Sequence, residues 1–72
     1  MRVGALAKQA GMTRDTIRFY ERRGLISSRP SEDSSTSYRD YPDDTVERLD
    51  MIAQARAAGM SIAELEVLVQ VM

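Results

Sequence analysis

A chain of 72 residues leaves room for one domain, and 43% hydrophobic against 29% charged residues is the balance of a folding chain, not a disordered one. Cysteine and histidine are both absent, which removes disulfides, thiolate metal sites, most transition-metal chemistry and the usual nucleophile–base pairs. The net charge of −1 conceals a gradient: residues 1–29 carry seven Lys/Arg against two acids, a local +5, and residues 30–72 carry three Arg against nine acids, a local −6.

Val3, Leu6, Ala7 and Ala10 recur at helical spacing and predict an amphipathic helix over 3–10. Gly11 follows the last periodic position, where a left-handed residue ends a helix. Thr13 fits the N-cap of a second helix over 13–23, with Ile17 and either Phe19 or Tyr20 facing inward, and Gly24 stops it. Phe19 is expected in the core; Tyr20 is left open between core and surface. Helix, glycine turn, helix is the pattern of a helix-turn-helix, whose second helix offers its N-terminal side chains to base edges in the major groove. Thr13, Arg14, Thr16 and Arg18 are placed for that role, an arginine fork suiting guanine O6 and N7 and a threonine suiting thymine. Tyr20 and Arg23 are better placed for phosphates, which fix register without reading sequence. The alternative for Arg14 and Arg18 is an exposed helix charge or an i,i+4 side-chain pair. Charges beyond about 10 Å are largely screened at ordinary salt, so the acidic half of the chain does not cancel the basic half at a polyanion surface.

Leu25 and Ile26 are apolar enough to begin a short strand, residues 27–37 are a polar Pro/Ser-rich loop, and residues 37–41 alternate as a returning strand would. Two such strands make a wing over 27–41, the alternative being an unstructured linker. Tyr38 and Arg39 at its end form a second candidate phosphate clamp, a phenol beside a guanidinium. Pro42 suits the first position of a third helix running to Ala58, and Asp43, Asp44 and Glu47 complement its dipole. Val46, Leu49, Ile52 and Ala53 are its predicted apolar stripe. Arg56, near the following turn, is as well placed for the DNA backbone as for bare solvent.

Ser61 and Glu64 form a capping box that starts a fourth helix, with Ile62, Leu65, Leu68, Val69 and Met72 inward. Its last residues are apolar nearly all round, so the core, a partner subunit or a further segment is expected to cover them. The acids of the third helix are explained by capping and come without any histidine, cysteine or glycine-rich phosphate loop. No catalytic residue, metal ligand or cofactor is expected, and the chain is read as no enzyme. No apolar run approaches the roughly 20 residues of a membrane span and no secretory signal is visible, which points to a cytoplasmic protein with no membrane partner.

Four stretches taken together resemble one family: residues 3–13 (VGALAKQAGMT), 16–25 (TIRFYERRGL), 37–41 (SYRDY) and 56–64 (RAAGMSIAE). They are similar, in the same order and over essentially the whole chain, to the N-terminal domain of mercury-resistance-regulator (MerR) family transcription factors. The resemblance implies a mainly α fold, a winged helix-turn-helix with two further helices: residues 1–26 the helix-turn-helix, 27–41 the wing and 42–72 a helical hairpin. It implies Arg14 and Arg18 at bases, Tyr20, Tyr38 and Arg39 at phosphates, and Arg29 and Arg56 as additional backbone contacts. It further implies sequence-specific binding of double-stranded promoter DNA by a homodimer, which distorts the duplex so that RNA polymerase engages both promoter elements, an indirect readout. Ser37 stands where the family usually has glycine, and Glu32 and Asp33 make the loop less suited to phosphate. The family's long dimerisation helix and effector domain, where metal-sensing members hold their ion, have no counterpart here. The chain then reads as the DNA-binding half of a larger regulator or as a minimal member. Two other readings stay open: a small helical adaptor that binds protein through the apolar 65–72 face, and an architectural or excisionase-like DNA-bending factor.

Overall fold

The computed structural model describes residues 1–30 and 39–71, so the loop carrying Glu32, Asp33, Ser37 and Tyr38, and also Met72, lies outside the described residues. The order is α1 (Val3–Ala10), α2 (Arg14–Arg22), β1 (Arg29–Pro30), β2 (Arg39–Asp40), α3 (Thr45–Ala57) and α4 (Ile62–Val71). The two strands pair antiparallel, Arg29 opposite Asp40 and Pro30 opposite Arg39. α1 packs against both α2 and α3, and α4 packs against α3.

The helix ends follow from local chemistry. α1 closes on Gly11, whose φ of 68° is left-handed, and the Met12 N–H bonds back to the Ala7 carbonyl at 3.0 Å. Thr13 caps α2, its Oγ1 accepting the Thr16 N–H at 3.1 Å. At the other end Gly24 takes φ 78°, and the Leu25 and Gly24 N–H groups bond to the Tyr20 and Glu21 carbonyls, both at 3.0 Å. The capping box of α4 is complete: Ser61 N–H donates to Glu64 Oε1 at 3.0 Å and Glu64 N–H to Ser61 Oγ at 3.1 Å. The Ser61 N–H bond to its carboxylate, followed by the Ser61 hydroxyl, holds the Glu64 carboxyl below its ordinary pKa.

One core joins the elements. Leu6 of α1, Ile17 of α2, Leu25 and Leu49 of α3 are fully buried, with Ile26, Tyr41, Ile52 and Leu65 close behind. Burying each such aliphatic side chain is worth roughly 1.5–3 kcal/mol.

Four expectations are corrected. Leu25 and Ile26 do not begin a strand; they leave the Gly24 turn and plug into the core, and pairing starts at Arg29. The third helix begins at Thr45 rather than Pro42, because the Thr45 and Val46 N–H groups bond to the Pro42 and Asp43 carbonyls in a tight turn before the helical ladder starts. Ala53 is exposed, and Ala55 packs on the core instead. On α4, Leu68 is 43% exposed, since Ile62, Leu65 and Val69 already take up the face turned to α3.

Candidate nucleic-acid interface

α2 has two unlike sides. Ile17 and, one turn on, Tyr20 point into the core, whereas Arg14, Arg18 and Arg22 are exposed. Phe19 falls two residues from Ile17 and so emerges on the far side of the helix, 38% exposed, the reverse of its expected place in the core. Tyr20 is the buried member of the pair, 9% exposed, its ring tilted against Phe19 with centroids 5.8 Å apart. The open choice at Tyr20 is thereby settled for packing, because the inward register that serves Ile17 also carries residue 20.

Arg18 and the wing residue Arg39 line one hollow together with Arg2, Val3, Glu21, Arg22 and Tyr41. Arg14 lies just beyond: its Nη2 rests on Gly4 of α1, where an added Cβ would come within 3.2 Å. The two threonines are partly committed, since the Thr13 and Thr16 hydroxyls bond each other at 2.9 Å while Thr13 caps the helix.

Glu21 lines the hollow and gathers several partners. Tyr41 Oη donates to its Oε1 at 2.6 Å and Ser28 Oγ donates to its Oε2 at 2.5 Å. Arg39 completes the set: its Nε donates to Ser28 Oγ at 2.5 Å, its Nη2 donates to the Ser28 carbonyl at 3.2 Å, and Nε lies 3.6 Å from the Glu21 carboxylate. Partial burial raises the Glu21 pKa, but the Ser28 and Tyr41 hydrogen bonds and the charges of Arg39 and Arg18 outweigh it, and the net pKa is lowered. Burial and the same hydrogen bond push the Tyr41 phenol up to about 12. The backbone pins this end of the wing as well, Tyr41 N–H donating to the Met1 carbonyl at 2.6 Å and the Met1 amine to the Tyr41 carbonyl at 2.9 Å.

The structure does not gather every expected residue into this hollow. Arg23 turns to the other side, paired with Glu66 of α4. Arg56 donates Nη1 to the Met60 carbonyl at 3.0 Å, bracing the α3–α4 turn. Arg29 lines a separate shallow hollow beside Asp40 and Asp43. Tyr38 lies outside the described residues. Sequence reasoning missed Arg2, Arg22 and Glu21. The last two stand four and three residues after Arg18, so the helical period already put all three on one face; Arg2 precedes α1 and carried no such signal.

A helix-turn-helix with a two-stranded wing beside its second helix, both bordering an arginine-lined hollow, defines a winged helix-turn-helix domain. The MerR HTH family of regulatory proteins matches residues 1–71, and the chain belongs to that family as a helix-turn-helix DNA-binding domain. It is 39% identical over 66 residues to the HTH-type transcriptional regulator ZntR homolog of Haemophilus influenzae, covering 92% of this chain and 47% of that protein. It is also 39% identical over 70 residues to the mercuric resistance operon regulatory protein of Bacillus cereus, covering 97% of this chain and 52% of that one. The crystal structure of the transcription regulator PbrR691 from Ralstonia metallidurans CH34 in complex with lead(II) superposes with a TM-score of 0.83 at 32% identity, covering 99% of this chain and 54% of that one. The chain thus spans about half the length of the relatives it matches. These relatives are transcription regulators, not enzymes. Among the described residues no helix is long and apolar enough to cross a membrane.

Proposed function

We propose that this domain binds double-stranded promoter DNA sequence-specifically, with α2 in the major groove and the wing on the neighbouring phosphates. The observation that carries the reading is the shared hollow: Arg18 on α2 and Arg39 on β2 open onto the same side of the molecule. Arg18 and Arg14 take base edges and Arg39 a phosphate, with Tyr38 beside it; Thr13 and Thr16 keep their methyl groups for thymine contacts. Arg2 and Arg22 add positive charge along the same track. Arg23, Arg29 and Arg56 serve the fold or the flanks of the site rather than its centre.

In the whole regulator, two such domains related by a two-fold axis hold an inverted repeat and distort the base pairs between, bringing promoter elements into a register that RNA polymerase accepts. The protein works in the cytoplasm and needs no cofactor within this domain. Selection of bound duplexes from a randomised pool tests the reading directly. Enrichment of a defined half-site supports it, and a pool that stays random overturns it.

A further inference from the structure

We propose that Glu21 is a positioning residue that fixes the wing arginine, Arg39, at a set distance from α2; this rests on the DNA reading above. A carboxylate only accepts hydrogen bonds, and here each oxygen receives a hydroxyl proton, Tyr41 Oη on one side and Ser28 Oγ on the other. With its proton directed to Glu21, the Ser28 hydroxyl presents lone pairs, and Arg39 Nε donates into them at 2.5 Å. The Ser28 carbonyl takes a second guanidinium proton through Nη2 at 3.2 Å. Carboxylate, hydroxyl and guanidinium therefore form one relay from the second-last residue of α2 to the first residue of β2.

The relay matters because it ties the first residue of β2 to α2 through side chains, beside the strand pairing of Arg29 with Asp40 and Pro30 with Arg39. Ladder bonds fix the backbone and not the direction of a long arginine side chain, and the side-chain relay supplies that direction. With Nε and Nη2 held by Ser28 and the side chain still half exposed, the guanidinium is oriented before a phosphate arrives. Preorganisation of this kind strengthens binding by removing an ordering cost rather than by adding a contact. The negative charge does the aligning: glutamine in its place offers a single acceptor oxygen and sets an NH2 group against one of the two hydroxyls.

The test is a double-mutant cycle on the whole chain. Affinity for a fluorescein-labelled duplex recovered by selection is measured for the parent, Glu21→Gln, Arg39→Ala and the double variant, alongside the Arg39 Nε–H resonance of the free proteins. In the parent background Glu21→Gln weakens binding about tenfold, the size of one charge-assisted hydrogen bond. In the Arg39→Ala background it costs less than about twofold, because the effect runs through that side chain. The Arg39 Nε–H resonance shifts in Glu21→Gln. Tyr41→Phe, which keeps the ring and removes one donor to Glu21, weakens binding in the same direction if the larger change unfolds the chain. Equal losses with and without Arg39, or an unmoved Nε–H resonance, overturn the proposal. A parent that selects no duplex brings down the DNA reading and this role with it, while the resonance still reports whether the relay exists.

Discussion

α2 is seated by burial: Ile17 is fully enclosed, Tyr20 nearly so, and Leu25 beyond its end is sealed in the same core. Among the described residues the wing contributes Tyr41 to that core, and its end is held by polar bonds gathered at Glu21 and Ser28 and by the Tyr41–Met1 backbone pair. Apolar seating is indifferent to charge and salt, whereas a carboxylate hub responds to protonation and to any competing anion. One side of the candidate interface is thus set by packing and the other by a few titratable contacts. In the proposed function, the base-reading element is held by packing and the phosphate clamp is held in place by titratable contacts.

The contrast breaks first at Ile17. Ile17→Ala is expected to cost roughly 2–5 kcal/mol of folding stability, read by urea unfolding, because the site is fully enclosed. A loss well under 1 kcal/mol would show that α2 is not held by its core face. Arg18→Ala comes next: about 1–3 kcal/mol on a selected duplex, with relaxed preference at one base position and unchanged urea midpoint. Equal losses on selected and random duplexes would make Arg18 a phosphate contact and erase the distinction from Arg39. Gly24→Ala forces a Cβ into a left-handed turn at φ 78° and is expected to cost about 1–2 kcal/mol in the same unfolding measurement.

Arg39→Ala sharpens the other side. It should weaken selected and random duplexes alike and lower the slope of log K against log salt by about one. The smallest effect is the pH response of the hub. Folding depresses the Glu21 pKa below its ordinary 4.5, so its contribution is in full above that value and is lost as pH falls through the lowered pKa. Tyr41, raised from 10.0 to about 12, contributes fully below 10.0 and loses its share as pH climbs between the two. Thermal melts of the parent against Glu21→Gln detect the acid limb, which the variant should lack.

The apolar spacing of Val3, Leu6, Ala7 and Ala10 and the glycines after α1 and α2 made the helix-turn-helix legible, because local caps and periodicity decide those elements. Pro42 suits a first-turn position in sequence, but it belongs to a turn that precedes the ladder of α3. Leu25 and Ile26 misled because a short apolar pair has no period, and burial in the core looks the same in sequence as burial in a strand. At the interface, residue types were readable and partners were not. That Arg23 faces Glu66, 43 residues away, or that Glu21 collects Ser28, Tyr41 and Arg39, follows from tertiary placement alone. The family resemblance carried the fold across that gap, but not these pairings.

In the proposed function, the closed ends of α2 also set how much text it reads. Nine residues between Thr13 and Arg23 make a rod of about 14 Å at 1.5 Å per residue. Along a duplex that is about four steps of 3.4 Å each. An address of four letters recurs throughout any chromosome, where competing sites run to about 10⁶ or more. If α2 reads bases as proposed, one copy of this domain is a reader of syllables, and a second copy or the stiffness of the spacer between them would spell a unique location.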